Sequence, residues 1–338
     1  MDDNLINILT KDYTMSLNSL VNNLRQHIYV INRLNLSNNI RINLIKSITT
    51  KYNNNVKKIK NKYDNEKNKL IQLNYLTSSS TKNKQALLIG INYIGTSNQL
   101  SGCINDTNNI KDFLKSKCNY NSFNILTDNT NKKPTKQNII NELTNLLVNA
   151  NSGDNLFFLY SGHGTWTIDL NKDETDRRDE MIVPLDAVDT NTCILDDDIN
   201  KIIKKNLKKN VKLFMIFDSC FSGTVVDLKY NYLTSLQGNS NSPIINPTGF
   251  DTSGQVIMIS GCKDNQTSAD AYVNYLGSNI NAGAMTYSFL KTFQDLGVNI
   301  SLKTLLTNMR SILKKESYSQ IPQLSSGTNI NINTLLLL

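Results

Sequence analysis

Phe157-Phe158-Leu159-Tyr160-Ser161-Gly162-His163-Gly164 and Leu213-Phe214-Met215-Ile216-Phe217-Asp218-Ser219-Cys220-Phe221-Ser222-Gly223 are the stretches that decide the fold. Each is an apolar run that stops abruptly in small and polar residues. Such a run reads as a strand buried on both faces, as in a parallel sheet. The first run delivers a histidine at its carboxyl end, and the second delivers a cysteine at the same place. In open α/β sheets the carboxyl ends of the strands are where ligands bind. A buried cysteine is ordinarily a small core hydrophobe. Here, however, one of only two histidines in the chain stands between glycines, which let backbone approach a ligand closely. Cys220 and His163 are therefore a candidate nucleophile and base.

Working outward, strands and helices alternate. A buried strand over 85–92 precedes a helix that opens at Gly102 and runs to about Cys118, with Asp106 in its first turn. A short strand follows at 123–126, then a helix from Pro134 to about Ala150. Beyond the His163 strand comes an acidic polar stretch, 169–180, then a helix opened by Asp196-Asp197-Asp198. The Cys220 strand leads into a long loop ending near Gly254, a length that marks function, processing or disorder. A strand at 255–260, helices at about 284–295 and 301–314, and a last short strand near Gln323 complete the pattern. This alternation predicts an α/β fold, a mostly parallel central sheet with helices on both faces.

Residues 1–76 read differently. Leu17, Val21, Leu24, Ile28 and Ile31 form a heptad-like seam, and a second stripe runs from Ile45 through Ile48, Tyr52, Val56, Ile59 and Tyr63. The break at Leu36-Ser37-Asn38-Asn39 predicts an antiparallel helical hairpin. Residues 77–84 read as a polar linker, and 85–338 as the second domain. The net charge of +8 belongs to the front of the chain: residues 1–84 hold 14 Lys+Arg against 5 Asp+Glu, a net of +9. A solvated Lys/Asn helix surface accounts for that charge, so no nucleic-acid partner is expected. No apolar leader or membrane-length run occurs, and the five cysteines show no paired spacing. A cytoplasmic protein with reduced thiols, and without membrane attachment or a zinc site, is expected.

Five motifs in order carry a more specific resemblance: Lys84-Gln85-Ala86-Leu87-Leu88-Ile89-Gly90-Ile91-Asn92-Tyr93, Leu100-Ser101-Gly102-Cys103-Ile104-Asn105-Asp106, Tyr160-Ser161-Gly162-His163-Gly164, Phe217-Asp218-Ser219-Cys220-Phe221-Ser222-Gly223-Thr224 and Ile257-Met258-Ile259-Ser260-Gly261-Cys262-Lys263-Asp264-Asn265-Gln266. Together they resemble the metacaspases, type I-like members of the caspase-like cysteine peptidases, over roughly residues 84–325. The 57 residues between His163 and Cys220 are similar to the roughly 50-residue spacing of caspases. The N-terminal pair of helices departs from the family's usual prodomains, and Phe221 stands where many members have His.

The resemblance implies a caspase-like three-layer sandwich preceded by the helical hairpin, and a peptidase that cleaves proteins after Arg or Lys. His163 would take the Cys220 thiol proton and return it to the leaving amine. The backbone N–H groups of Gly164 and Cys220 are the natural oxyanion donors. By motif position, Asp106 and Asp218, with Cys103 and Ser161 beside them, form the pocket for the substrate cation. Also by motif position, Asp179, Asp196, Asp197 and Asp227 are the expected ligands of an activating calcium ion. Lys82, Lys84 and Lys229 are candidate self-cleavage sites, and removal of the hairpin would make it a prodomain. A monomer is expected. The rival readings are an Asp-specific caspase-like enzyme, against which the acids at 106 and 218 argue, and a scaffold in which proteolysis is secondary.

Overall fold

The computed structural model describes residues 3–78, 82–168, 178–219, 226–232, 243–261, 270–275, 278–336 and 338. The chain forms two compact units, Met1–Ser80 and Thr81–Leu336.

The first unit is a pair of helices, α1 (Asp3–Arg33) and α2 (Asn38–Ser78). They run antiparallel: Tyr13 stacks on Tyr63 with ring centroids 4.4 Å apart, and Thr10 Oγ1 lies 3.1 Å from the Tyr63 hydroxyl. These contacts carry α1 well ahead of the seam that begins at Leu17. At the turn, Arg41 Nη2 donates to the carbonyls of Leu34 and Leu36, just past the end of α1. Among the described residues of the pair only Ile31 is a buried apolar side chain, so the seam is thin. The helix α2 extends through Ser78, and Lys84 already opens the first strand, so the irregular connection is shorter than 77–84.

The second unit holds β1 (Lys84–Gly90), α3 (Cys103–Lys117), β2 (Ser122–Thr127), α4 (Lys136–Val148), β3 (Asn155–Ser161), β4 (Gly164–Ile168), β5 (Arg178–Ile182), β6 (Ile194–Leu195), α5 (Asp196–Asn206) and β7 (Lys212–Asp218). It continues with β8 (Tyr230–Tyr232), β9 (Ile244–Ile245), β10 (Gln255–Ser260), β11 (Asp270–Tyr275), β12 (Ser278–Gly283), α6 (Ala284–Leu296), α7 (Leu302–Lys315) and β13 (Gln323–Ser326). The main sheet has eight strands in the order β2-β1-β3-β7-β10-β13-β8-β9. The first five are parallel, and β13, β8 and β9 are antiparallel. The long loop after the Cys220 strand thus contributes two short strands, β8 and the edge strand β9, that the apolar pattern did not announce. Two small additions, β4-β5-β6 and the β11-β12 hairpin, complete the strands.

Period-2 alternation divides the core. Phe157 and Leu159 of β3 and Phe214 and Ile216 of β7 join the cluster packed by α3, α6 and α7. Leu156, Phe158, Leu213, Met215 and Phe217 face α4 and α5. This is the caspase-like three-layer arrangement. Continuing the alternation by one step sends Ser161 and Asp218, the last residues of β3 and β7, toward α3 and α6.

Candidate active site

The register of β3 against β7 ends at Ser161↔Asp218. His163 and Cys220 each follow that last pair by two residues. Cys220 lies outside the described residues. His163 is half-buried, and its Nε2 lies 2.7 Å from the carbonyl oxygen of Asn98. A carbonyl only accepts, so Nε2 carries the proton and the Nδ1 lone pair is left as the base. Sequence reasoning named no group to orient this histidine. The orienting group is a main-chain carbonyl, to which the Asn98 side chain contributes nothing. Val183 N–H donates to the His163 carbonyl at 3.1 Å, which makes His163 and Val183 a hydrogen-bonding pair next to Gly164↔Ile182. Antiparallel pairs alternate, so the Gly164 N–H is directed away from β5, as an oxyanion donor requires.

Of the residues expected to form the substrate pocket, Asp106, Ser161 and Asp218 come together on the α3/α6 side, and Cys103 is the first residue of α3. Asp106 and Asp218 are both buried, 0% and 3% exposed, with Ser161 at 1% and Cys103 at 6%. Ser161 Oγ donates to Asp106 Oδ2 at 2.7 Å. The Gly283 N–H donates to both oxygens of Asp106, at 3.0 Å each. The Thr286 N–H donates to Asp218 Oδ2 at 2.8 Å. Gly283 is the N-cap of α6, and that helix has no side-chain cap of its own. The two acids therefore supply from outside what the helix terminus lacks, and the positive end of the helix dipole offsets the burial of their charge. Gly283 is seated directly against both: a Cβ there would stand 2.1 Å from Asp218 Oδ2 and 2.8 Å from Asp106 Oδ2. Gly283 and Thr286 were invisible in the sequence because they act through backbone N–H groups.

The four expected calcium ligands divide. Asp196 opens α5 and is buried; its carboxylate accepts from the N–H groups of Asp197 at 2.6 Å and Glu180 at 3.1 Å. Burial, then the neighbouring charge of Asp227 and more weakly that of Asp179, push its pKa up to about 8. Asp227, held at φ 40°, accepts from Asn200 Nδ2 at 3.2 Å. Asn200 Oδ1 is buried with no hydrogen-bond partner among the described residues. Asp197 instead pairs with Lys201 at 2.9 Å, one turn along α5. Among the described residues no three acidic, histidine or cysteine side chains are gathered closely enough to hold a metal ion as they stand. The charges of Asp227 and Asp179 do reach Asp196, and the open amide oxygen of Asn200 lies on the side chain that donates to Asp227. These are all-oxygen donors suited to a hard cation, and calcium would relieve their repulsion.

The candidate cleavage lysines also divide. Lys84 is no linker residue: it opens β1, is 7% exposed, and its Nζ donates to the carbonyls of Cys118 and Leu338 at 2.7 Å each. Cleavage after it would require drawing the first residue of the sheet out of register with Asn155. Lys82 lies ahead of the sheet and is half-buried. Lys229 precedes β8 and is ion-paired with Asp251.

The architecture and the chemistry at the strand ends together define a class, the caspase-fold cysteine peptidases. Comparison with known proteins narrows it. The family model described as the metacaspase, peptidase C14 domain matches residues 84–229. Metacaspase-1 of Meyerozyma guilliermondii is 38% identical over 308 residues, covering 77% of this chain and 73% of that protein. Metacaspase-1 of Saccharomyces cerevisiae is 39% identical over 308 residues, covering 77% and 70%. A solved structure of a protein from Geobacter sulfurreducens shares the fold, with a TM-score of 0.54 at 20% identity over 75% of this chain and 98% of that one. The chain belongs to the metacaspase family of cysteine peptidases, and its substrates are proteins.

Proposed function

We propose that this peptidase is a calcium-activated endopeptidase that cleaves after Arg or Lys by a Cys220–His163 dyad. The observation that carries the specificity is the meeting of Asp106 and Asp218 at Gly283, on the face toward which β3 and β7 send their last side chains. Two carboxylates in a low-dielectric pocket bind a guanidinium or ammonium by charge-assisted hydrogen bonds, and repel an acidic side chain.

With Nε2 held by Asn98, the His163 Nδ1 takes the proton of the Cys220 thiol. The thiolate attacks the scissile carbonyl carbon, and the oxyanion is met by the Gly164 and Cys220 N–H groups. The imidazolium then returns its proton to the amine as the C–N bond breaks. In the second half, His163 takes a proton from water, hydroxide attacks the thioester, and the thiol is restored.

Asp179 of β5, Asp196 at the start of α5 and Asp227 ahead of β8, with the Asn200 oxygen, would hold calcium, which would supply the positive charge that offsets their mutual repulsion. Self-processing is assigned to Lys82, and to Lys229 after its ion pair opens, with the α1–α2 pair as a removable prodomain. The enzyme works as a monomer in the cytoplasm, where thiols stay reduced. Among the described residues no helix is long and apolar enough to cross a membrane.

The test uses short fluorogenic peptides ending in Arg, Lys or Asp, with calcium or chelator, for wild type and Cys220→Ala. Calcium-dependent cleavage after Arg and Lys, lost in the variant, is expected. Cleavage after Asp alone overturns the pocket assignment, and equal rates in chelator overturn the role of calcium.

A further inference from the structure

Two buried tyrosines surround the catalytic histidine in a way that neither the fold nor the proton transfer accounts for. In a regular antiparallel rung, His163 and Val183 would exchange two backbone hydrogen bonds. Only one is present, from Val183 N–H to His163 O. In place of the other, the His163 N–H donates to the Tyr93 hydroxyl at 3.0 Å, and that hydroxyl donates to the Val183 carbonyl at 2.7 Å. On the other side, the Val183 N–H also donates to the Tyr160 hydroxyl at 3.1 Å, and that hydroxyl donates to the His163 carbonyl at 2.7 Å, with the Val183 carbonyl a second acceptor at 3.0 Å. The two phenol oxygens lie 3.2 Å apart. The Tyr93 hydroxyl thus takes the place of one hydrogen bond of the rung, and the Tyr160 hydroxyl braces the one that remains.

We propose that Tyr93 and Tyr160 are positioning residues for His163, their hydroxyls fixing its backbone and the Tyr93 ring fixing the plane of its imidazole. The proposal rests on His163 acting as the base.

Three further observations converge on it. The Tyr93 ring packs against the His163 ring, centroids 4.7 Å apart and planes tilted by 34°. With Asn98 on Nε2 and Tyr93 on the ring face, the imidazole is held at both an edge and a face. Tyr93 sits at φ 51°, a left-handed conformation that a bulky residue adopts only when its surroundings impose it. Gly162 has no room for a side chain, since a Cβ would stand 2.8 Å from the Tyr160 hydroxyl and 3.0 Å from that of Tyr93. The glycine before His163 is therefore explained by the tyrosines. Burial also raises the pKa of both phenols, so they remain neutral donors wherever the dyad works.

A tyrosine that only tied β4 to the sheet would matter for stability and leave the proton transfer alone. Tyr93→Phe keeps the ring and removes the hydroxyl, and Tyr160→Phe carries the same prediction by the other strand. A shift of the base of about 1 Å costs on the order of 10²-fold in rate. Each variant should lose about 10- to 100-fold in kcat/KM on an Arg peptide, with KM nearly unchanged and the acid limb of the pH profile displaced. The rate of Cys220 alkylation by iodoacetamide should show the same displacement, without any use of the substrate pocket.

Ring nitrogen shifts of ¹⁵N-histidine-labelled protein read the cause directly, because the chain has two histidines and His27→Gln assigns them. Wild-type His163 should show a single Nε2–H tautomer. Tautomer averaging in the wild type overturns the proposal even if neither variant folds. Folded Phe variants with wild-type kcat/KM and pH profile overturn it as well, provided His163→Ala is inactive. An active His163→Ala would instead refute the base assignment.

Discussion

Gly283→Ala adds one methyl group at the point where both pocket carboxylates meet the start of α6. Its Cβ would stand 2.1 Å from Asp218 Oδ2, 2.7 Å from Asp218 Cγ and 2.8 Å from Asp106 Oδ2. A comfortable carbon–oxygen separation is about 3.3 Å, so Asp218 has to retreat by roughly 1 Å. The backbone gives no relief and adds no penalty, because φ −64° and ψ 133° suit alanine as well as glycine. The substitution therefore isolates crowding of the pocket acids from any change in chain conformation. Overpacking of this kind costs about 1–3 kcal/mol, which for a unit of this size lowers Tm by roughly 2–12 °C and leaves the protein folded at 25 °C. The effect on recognition is larger: a misplacement of about 1 Å in a charge clamp lowers kcat/KM for Arg and Lys peptides by on the order of 10²-fold. The assay is hydrolysis of the two peptides, with iodoacetamide alkylation of Cys220 in parallel as a measure of the dyad alone. The expected result is a collapse of cleavage with alkylation preserved. Cleavage within threefold of wild type would falsify the claim that the substrate cation is read at Asp106 and Asp218. A parallel fall in alkylation would show general damage to the strand ends instead.

Asp106→Asn should lower kcat/KM for both basic peptides by at least 10²-fold while Asp peptides stay uncleaved; gain of Asp cleavage would sink the charge-pairing argument, and steady-state kinetics decide it. The raised pKa of Asp196 gives a signed pH dependence. Between the unperturbed 3.8 and about 8 the calcium-free folded state holds a proton that the unfolded chain releases, so this stabilising contribution is lost as pH rises through about 8. Calcium competes with that proton, and its apparent affinity should weaken by up to about tenfold per pH unit below 8. Tm measured from pH 5 to 9 in calcium and in chelator tests both, and a calcium affinity independent of pH would remove Asp196 from the site. Mass spectrometry of calcium-treated enzyme should find cleavage after Lys82 and none after Lys84; an N-terminus at Gln85 would mean that the edge of β1 opens in solution.

What the sequence made legible follows from how far each signal depends on neighbours in the chain. The strands ending near His163 and Cys220 are long apolar runs, and burial on both faces writes itself into composition. The polar strands Arg178–Ile182 and Ser278–Gly283 are held by pairing with β4 and β11, so their residues look like loop. Asp106, Ser161 and Asp218 were found by motif, and the structure joins Asp106 to Ser161 directly and brings Asp218 to the same helix terminus. Asn98, Gly283 and Thr286 act through main-chain atoms, which carry no residue signature. Tyr93 and Tyr160 read as core aromatics at strand ends; their use depends on hydroxyl contacts to Val183, 90 and 23 residues away in sequence. Lys84 was misplaced because a lysine after a polar stretch reads as surface, whereas its ammonium is buried against two carbonyl oxygens.

Under the proposed pocket assignment, the capping of α6 by Asp106 and Asp218 ties substrate choice to architecture. An enzyme re-engineered to accept acidic residues would need positive side chains at these two positions. Arginine there would abandon the Gly283 and Thr286 N–H groups and set like charge against the positive end of the helix. A specificity reversal would thus begin by unseating the helix on which the pocket is built. If Asp106 and Asp218 read the substrate cation as proposed, a change of sign at the pocket requires a new foundation for α6.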